Sequence, residues 1–315
     1  MITAPRDHMG SGPTKVHGVM LNWNSYDLTA PCIASLKQSR SPLARIVVVD
    51  NGSHDGSIDR LQAEFNDPQM VFIRNEKNEG FSGGMNIGIQ WALENGADMV
   101  FSINNDTEVE PDCLGFLIRA LEDNTRCGVA GPTIYYHGQP RKIWQAGGSF
   151  SRLRAGITVP LKGKAADDVP DQIVEVSFLT GCAILVRSSL LRTVGLLDTD
   201  YFFYGEDLDF DLRVRGAGST LLYVPQASVW HKIEEVAKDR TSPYVLYHLG
   251  RSTALLYRKR FSPPYRYFAY GLQLGLYTPF RAWQIAQGGA GMGSLHAWVA
   301  GLLDGMRGKA AAPRP

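Results

Sequence analysis

The chain lacks several patterns that would announce a function. Its four cysteines, Cys32, Cys113, Cys127 and Cys182, contain no C-x-x-C pair. That excludes a zinc ribbon and a disulfide framework, and it suits a reducing cytoplasm. The polar stretch Met1 to Lys15 has no apolar h-region, so no secretory leader is expected. The uncharged tail segment Tyr267 to Phe280 is 14 residues long and holds Pro279. It falls short of the ~20 apolar residues that a spanning helix needs. No G-x-G-x-x-G follows the first apolar run, where Asn22-Trp23-Asn24-Ser25 stands instead. A dinucleotide-dependent oxidoreductase is therefore a poor reading.

Acidic residues are scarce in one place. From Arg240 to Pro315 there are ten Lys/Arg and a single acid, Asp304, a net charge of +9. With +1 overall, the chain before Arg240 carries −8. An acidic body with a basic, aromatic tail points to an anionic surface as partner. No nucleic-acid motif accompanies it, which leaves a membrane surface.

What is present begins as α/β. Val16 to Asn22 and Ala44 to Asp50 are apolar, β-branched runs that read as buried strands, with helical spacing from Asp27 to Gln38 between them. Ser57 to Phe65 and Phe81 to Glu94 read as helices, Met70 to Arg74 and Asp98 to Asn104 as strands. This alternation predicts a doubly wound, mostly parallel sheet with ligands at the C-terminal strand ends. After Asn124 the pattern loosens through Val176, with Lys162 to Asp171 an exposed loop. Phe178 to Arg187 reads as a strand and Asp207 to Arg215 as a helix. Ser219 to Val224 reads as a last strand that Pro225 ends. The expected organisation is a flexible stretch 1–15, a catalytic domain 16–240 whose halves meet near residue 124, and a helical extension 241–315. Two readings of that extension stand side by side. It is an interfacial helix with Arg251, Arg258, Lys259, Arg260 and Arg266 near lipid headgroups, or a hairpin packed on the body or against a second copy.

Acids cluster where chemistry can use them. Asp50 ends the second strand, and Asp106 follows Asn104 and Asn105 just past another. Gly205-Glu206-Asp207-Leu208-Asp209-Phe210-Asp211 sets four acids at a helix start beside four aromatic residues. Capping explains one or two such acids. Helical spacing puts Asp207 and Asp211 on one face, with Glu206 and Asp209 elsewhere. Taken singly, Asp50 caps a turn, Asp106 is a loop residue, and His231 is a satisfied structural histidine. Gly83 and Gly84 read as a close-packed helix start rather than a phosphate cradle. Trp23 and Trp144 can stack on a base or a sugar, or pack in the core.

Six segments in register carry a resemblance: LNWNSYD, VVVDNGSHDGS, RNEKNEGFSGGMNIGI, INNDTEVEP, FLTGCAILVR, and YFFYGEDLDFDLRVRGAG with VPQASVWH behind it. Together they resemble the family 2 glycosyltransferases of GT-A fold, over about Val16 to His231. The resemblance implies an inverting transfer of one sugar from a nucleotide-diphosphate donor to a glycan or lipid-linked glycan acceptor. It implies that Asn24 and Asp50 line the nucleoside pocket and that Asp207 is the catalytic base. Asn78, Asn104, Asn105, Thr180, Gly181 and Glu206 are implied on the donor side. Asp106, with His231, is implied to hold a divalent metal, Mg²⁺ or Mn²⁺. Where many members have D-x-D this chain has Asn104-Asn105-Asp106, a single strong carboxylate. That N-N-D-T form is similar to the rhamnosyltransferase and galactofuranosyltransferase branch, implying dTDP-rhamnose as donor, with UDP-galactofuranose or a UDP-hexose as alternatives. No Q-x-x-R-W motif of processive synthases is present. A non-catalytic glycan-binding protein on the same fold is the rival of another class.

Overall fold

A computed structural model describes residues 13–233, 241–287 and 291–309. Strands β1 (Val16–Asn22), β2 (Arg45–Asp50), β3 (Met70–Arg74) and β4 (Met99–Ile103) lie side by side, all parallel, in the order β3-β2-β1-β4. Their Val/Ile runs are continuous rather than alternating because helices cover both faces. Helices α1 (Tyr26–Lys37) and α2 (Ser57–Glu64) bury Ile33, Leu36, Ile58 and Leu61 against Met20, Ile46 and Val48 on one face. On the other, α3 (Gly80–Glu94) sets Met85 and Ile89 against Val19, Val47 and Val49. A Cβ on Gly84 would lie 2.3 Å from Leu21, so this glycine serves close helix–strand packing.

Beyond β4 the sheet becomes mixed, and here the sequence expectations need correcting. The segment after Asn105 is no plain loop: β5 (Thr107–Val109) and α4 (Cys113–Glu122) follow, then a long β6 (Cys127–Tyr136) and β7 (Gln139–Gln145). Short strands β8 (Ser149–Ser151) and β9 (Gly156–Thr158) form a separate hairpin, and β10 (Val174–Val176) pairs at the sheet edge. The expected strand Phe178 to Arg187 is paired only as β11 (Ala183–Arg187), inserted antiparallel between β4 and β6. Helices α5 (Ser188–Val194) and α6 (Glu206–Gly216) precede β12 (Thr220–His231), which runs parallel to β6. Pro225 does not end β12. Residues 225–227 loop out between the pairs Val224–Pro132 and Ser228–Thr133, and pairing then resumes to His231–Tyr136. A bulge absorbs the missing proline N–H.

The extension is helical. Helix α7 (Pro243–Arg260) starts with Ser242 accepting from the Val245 N–H at 3.3 Å and proline in its first turn. Helix α8 (Pro263–Leu272) passes through a π-helical stretch, Gln273–Tyr277, into α9 (Thr278–Gln287), and α10 (Met292–Arg307) folds back on α7. A Cβ on Gly301 would lie 2.1 Å from the Tyr247 carbonyl oxygen, and one on Gly305 2.2 Å from that of Arg251. Only glycine permits this backbone contact. A core of Leu246, Leu255, Trp298 and Leu302 continues onto Tyr201 and Leu208 of the body. The hairpin reading is thus the observed one. Three arginines and lysines expected at headgroups are engaged inside: Arg251 is buried and donates to the Asp200 carbonyl, and Lys259 and Arg260 reach Asp198. Among the described residues no helix is long and apolar enough to cross a membrane.

Candidate active site

The C-terminal ends of β1, β2 and β4 converge on a polar network. Asp50, buried at the end of β2, accepts from Asn22 Nδ2 (3.0 Å), Ser53 Oγ (2.5 Å) and the Ser53 N–H (3.2 Å). Asn24 has a positive φ of 48° and ties its loop to the next by accepting from the His54 N–H at 2.8 Å. From Asn22 the network runs on. Thr29 donates to Asn22 Oδ1 (2.8 Å) and accepts from Asn105 Nδ2 (2.8 Å). A single chain of side chains therefore connects the Asp50 loop to the loop that carries Asp106. Asn22 and Thr29 were not singled out from sequence, where an amide and a hydroxyl in a strand–helix turn look generic. Asn78 is less a ligand than a prop: its Oδ1 accepts from the Gly80 N–H (2.8 Å) and from Asn51 Nδ2 (2.9 Å). Asn51, buried and also overlooked, further accepts from Asn75 and the Glu79 N–H.

Asp106 and His231 meet. His231 Nε2 lies 3.0 Å from one oxygen of the nearly buried Asp106 and 3.1 Å from the other. Strand β12 and the β4–β5 connection bring them together, with the Lys232 N–H donating to the Asp106 carbonyl at 2.8 Å. Trp144 sets its ring edge-on to His231 at a centroid distance of 4.6 Å. Buried atoms at this place without a hydrogen-bond partner include Asn104 Oδ1, His231 Nδ1 and Trp144 Nε1, and Asp106 Oδ1 faces only the His231 ring. Among the described residues no set of three or more His, Cys, Asp or Glu is arranged to hold a metal. The donor set suits an ion that takes two protein ligands and completes its shell with phosphate oxygens and water, as Mg²⁺ and Mn²⁺ do. Asn104 offers a further oxygen.

The segment 178–182 links this corner to α6. The Cys182 carbonyl accepts from the Asn104 N–H at 2.8 Å, while the Gly181 N–H points at Asp207 Oδ2 at 3.4 Å. Asp207 is half-buried and also accepts from the Leu208 N–H at 2.8 Å. Thr180 adds a further hydrogen bond to it. Burial pushes the Asp207 carboxyl above the usual carboxylate range against these bonds. Glu206 beside it is buried, its Oε2 has no partner, and burial followed by the charge of Asp207 raises it to about 8. Burial thus raises both neighbouring carboxyls, and each disfavours the charge of the other. The turn into α6 is strained: Tyr204 has φ 64° and Gly205 φ 86°. A non-glycine residue in that region marks a turn fixed by its surroundings.

The remaining two acids divide as the helical spacing predicts. Asp211 accepts from the Leu179 N–H at 2.7 Å, on the Asp207 side. Asp209 turns away, wholly buried, and takes Tyr201 Oη (3.1 Å), Arg213 Nε (2.9 Å) and Arg260 Nε (2.5 Å). It anchors α6 to α7 and has no outlet to a ligand.

Comparisons with known proteins bear on family and fold. A family model described as Glycosyl transferase family 2 matches residues 19–195. The N-acetylglucosaminyl-diphospho-decaprenol L-rhamnosyltransferase of Mycobacterium tuberculosis is 26% identical over 250 residues, 73% of this chain and 80% of that protein. A dTDP-rhamnosyl transferase of Shigella flexneri is 24% identical over 225 residues, 69% of this chain and 72% of that one. In structure, a mannosyltransferase of Pyrobaculum calidifontis, solved with GDP-Man and Mn²⁺, superimposes with a TM-score of 0.57 at 13% identity, covering 94% of this chain and 88% of that one. The sheet order and helical layers are those of the GT-A fold. With its matched residues running from β1 to the end of α5, the chain belongs to glycosyltransferase family 2 and is a hexosyltransferase.

Proposed function

We propose that this enzyme transfers one rhamnose, with inversion, from dTDP-rhamnose to a glycan or lipid-linked glycan acceptor in cell-surface polysaccharide synthesis. The observation that carries the reading is the placement of Asp207. Its carboxylate stands at the start of α6 and takes the Gly181 and Leu208 N–H groups, while Asp211 is held by the Leu179 N–H and Asp209 by Tyr201 and Arg213, so neither is placed beside it as a nucleophile. Asp207 takes the proton from the acceptor hydroxyl as that oxygen attacks the anomeric carbon, opposite the departing diphosphate. Asn24 and the Asp50 loop hold the nucleoside, and Asn104, Asn105, Thr180 and Gly181 flank the sugar diphosphate. Asp106 and His231 would hold a divalent ion, Mg²⁺ or Mn²⁺. When bound, that ion supplies charge neutralisation for the leaving diphosphate. Rhamnose is favoured by the N-N-D-T sequence and by the activities named for the mycobacterial and Shigella relatives. The mycobacterial name also favours a polyprenyl-diphosphate-linked acceptor. The catalytic unit is residues 16–240, with the helical extension as its acceptor-side support.

The test is a calorimetric panel of dTDP-rhamnose, UDP-galactofuranose, UDP-glucose, UDP-N-acetylglucosamine and GDP-mannose, each with Mg²⁺, Mn²⁺ or EDTA. Selective, metal-dependent binding of dTDP-rhamnose is expected, and preference for another donor would replace rhamnose in the reading. Product with the donor's anomeric configuration, read from proton NMR couplings, would overturn inversion. Asp207→Asn should lower turnover ~100-fold or more while donor binding persists.

A further inference from the structure

One surface of the extension is apolar and free of acids. Along α8, the π-helical stretch and α9, Tyr267 is 68% exposed, Leu276 58%, Phe280 53% and Trp283 58%. The Phe280 and Trp283 rings stack at 5.8 Å, so they share a side of the helix. No acidic residue occurs between Arg260 and Asp304. A distant segment joins this surface. The turn of the β8–β9 hairpin holds Arg152-Leu153-Arg154, and Leu153 is 82% exposed. Tyr265 Oη donates to the Arg152 carbonyl at 2.9 Å and Tyr277 Oη to the Arg154 carbonyl at 2.8 Å, which clamps the turn along the helix. The hairpin is also without acids from Ser149 to Ala166. Two segments more than a hundred residues apart in sequence thus bring exposed apolar side chains and arginines, and no negative charge, to one place.

We propose that this surface rests on an anionic lipid bilayer, with Trp283 and Phe280 at headgroup level, Leu153 and Leu276 reaching the acyl boundary, and Arg152 and Arg154 against lipid phosphates. Aromatic rings beside arginines on an otherwise apolar face are the chemistry of an interfacial helix. Charge selects the occupant. A second copy meeting the same face would set Arg152 and Arg154 against their own counterparts, which is repulsive. An anionic bilayer would pair with both. The surface is also rigidly joined to the site, since Ser252 of α7 donates to the Phe203 carbonyl at 3.1 Å and Tyr257 donates to the Ala155 carbonyl. Docking would therefore fix the height of α6 above the lipid. The inference deepens the proposed function and rests on its lipid-linked acceptor.

The experiment is co-sedimentation of the full chain with phosphatidylcholine vesicles, with and without phosphatidylglycerol. Comparison proteins are Leu153→Asp and the double variant Phe280→Ser/Trp283→Ser. The wild-type chain should bind the phosphatidylglycerol vesicles, lose binding as salt rises, and bind about tenfold or more tightly than either variant, given the apolar area withdrawn. Donor binding by calorimetry should be the same in all three proteins. That control separates the two readings: if no nucleotide sugar binds while vesicle binding behaves as stated, the functional reading fails and the docking surface stands. Absence of vesicle binding, or binding that both variants retain, overturns the inference. So does a dimer in sedimentation velocity that the same substitutions abolish, because a second copy would then cover the face.

Discussion

Arg260→Ala tests whether the extension helps to hold the catalytic helix. The side chain lies in α7, yet both its Nε (2.5 Å) and its Nη2 (3.0 Å) donate to Asp209, two positions from Asp207, the proposed base. Removing one partner of a buried ion pair costs about 3–5 kcal/mol. Two facts reduce that figure here. Asp209 keeps Arg213 and Tyr201, and Arg260 is itself 26% exposed, so about 2–3 kcal/mol is expected. An unfolding entropy of about 2.1 cal/mol/K per residue over 315 residues gives about 0.66 kcal/mol/K, and hence a Tm lower by about 3–5 °C. Scanning calorimetry of the wild type, Arg260→Ala, Asp209→Asn and the double variant measures it. Once the carboxylate is gone the arginine has less to neutralise, so the double variant should lose less than the sum of the single losses. A Tm change under about 1 °C for Arg260→Ala, or strictly additive losses, would refute the coupling.

Other substitutions probe the site itself. Glu206 is raised to about 8 by burial, so its favourable contribution is complete below the ordinary carboxylate value and is lost as pH climbs through about 8. Thermal stability of the unliganded wild type should therefore fall between about pH 4.5 and 8 and level off above, and Glu206→Gln should flatten that slope; parallel curves would sink the assignment. Asp106→Asn and His231→Gln should each weaken Mn²⁺-dependent donor binding by about 10–100-fold, as changes at metal-site residues do. Unchanged Mn²⁺ titration of the histidine variant would remove it from the ligand set. Gly301→Val drives a side chain into the Tyr247 carbonyl and should separate α7 from α10, read as early amide exchange in both helices.

The first half of the fold is legible because parallel strands are buried on both faces and write themselves as unbroken Val/Ile runs. Helix α4 has a clear apolar face, but Asp112 makes no side-chain cap, so no start signal marks its beginning in the sequence. Strand β6 was obscured by Gly128, Gly131 and Pro132, which small-residue packing against Leu190 and Leu179 allows at a sheet interior. At the site, the acids and His231 could be picked out by type and neighbours. Their connections could not: Asn105 and Thr29 are 76 residues apart, Arg260 and Asp209 are 51 apart, and no local pattern records such pairings. Composition located the basic tail but not its partners. Arg251, Lys259 and Arg260 face inward, while the arginines that face outward beside the helices include two from a hairpin in the body.

The looped-out residues 225–227 have a consequence for how such a chain can vary. Strand side chains alternate faces, and His231 stands six residues after Pro225 on the buried side, next to half-exposed Trp230. The three extra residues act as a phase setting. A single deletion there that is carried into the strand shifts it by half a period, turns the imidazole outward, and sets Lys232 in its place beside Asp106. Insertions and deletions in this short stretch thus come in permitted pairs and forbidden singles, a parity rule imposed on the length of a surface kink by a ring that must face inward.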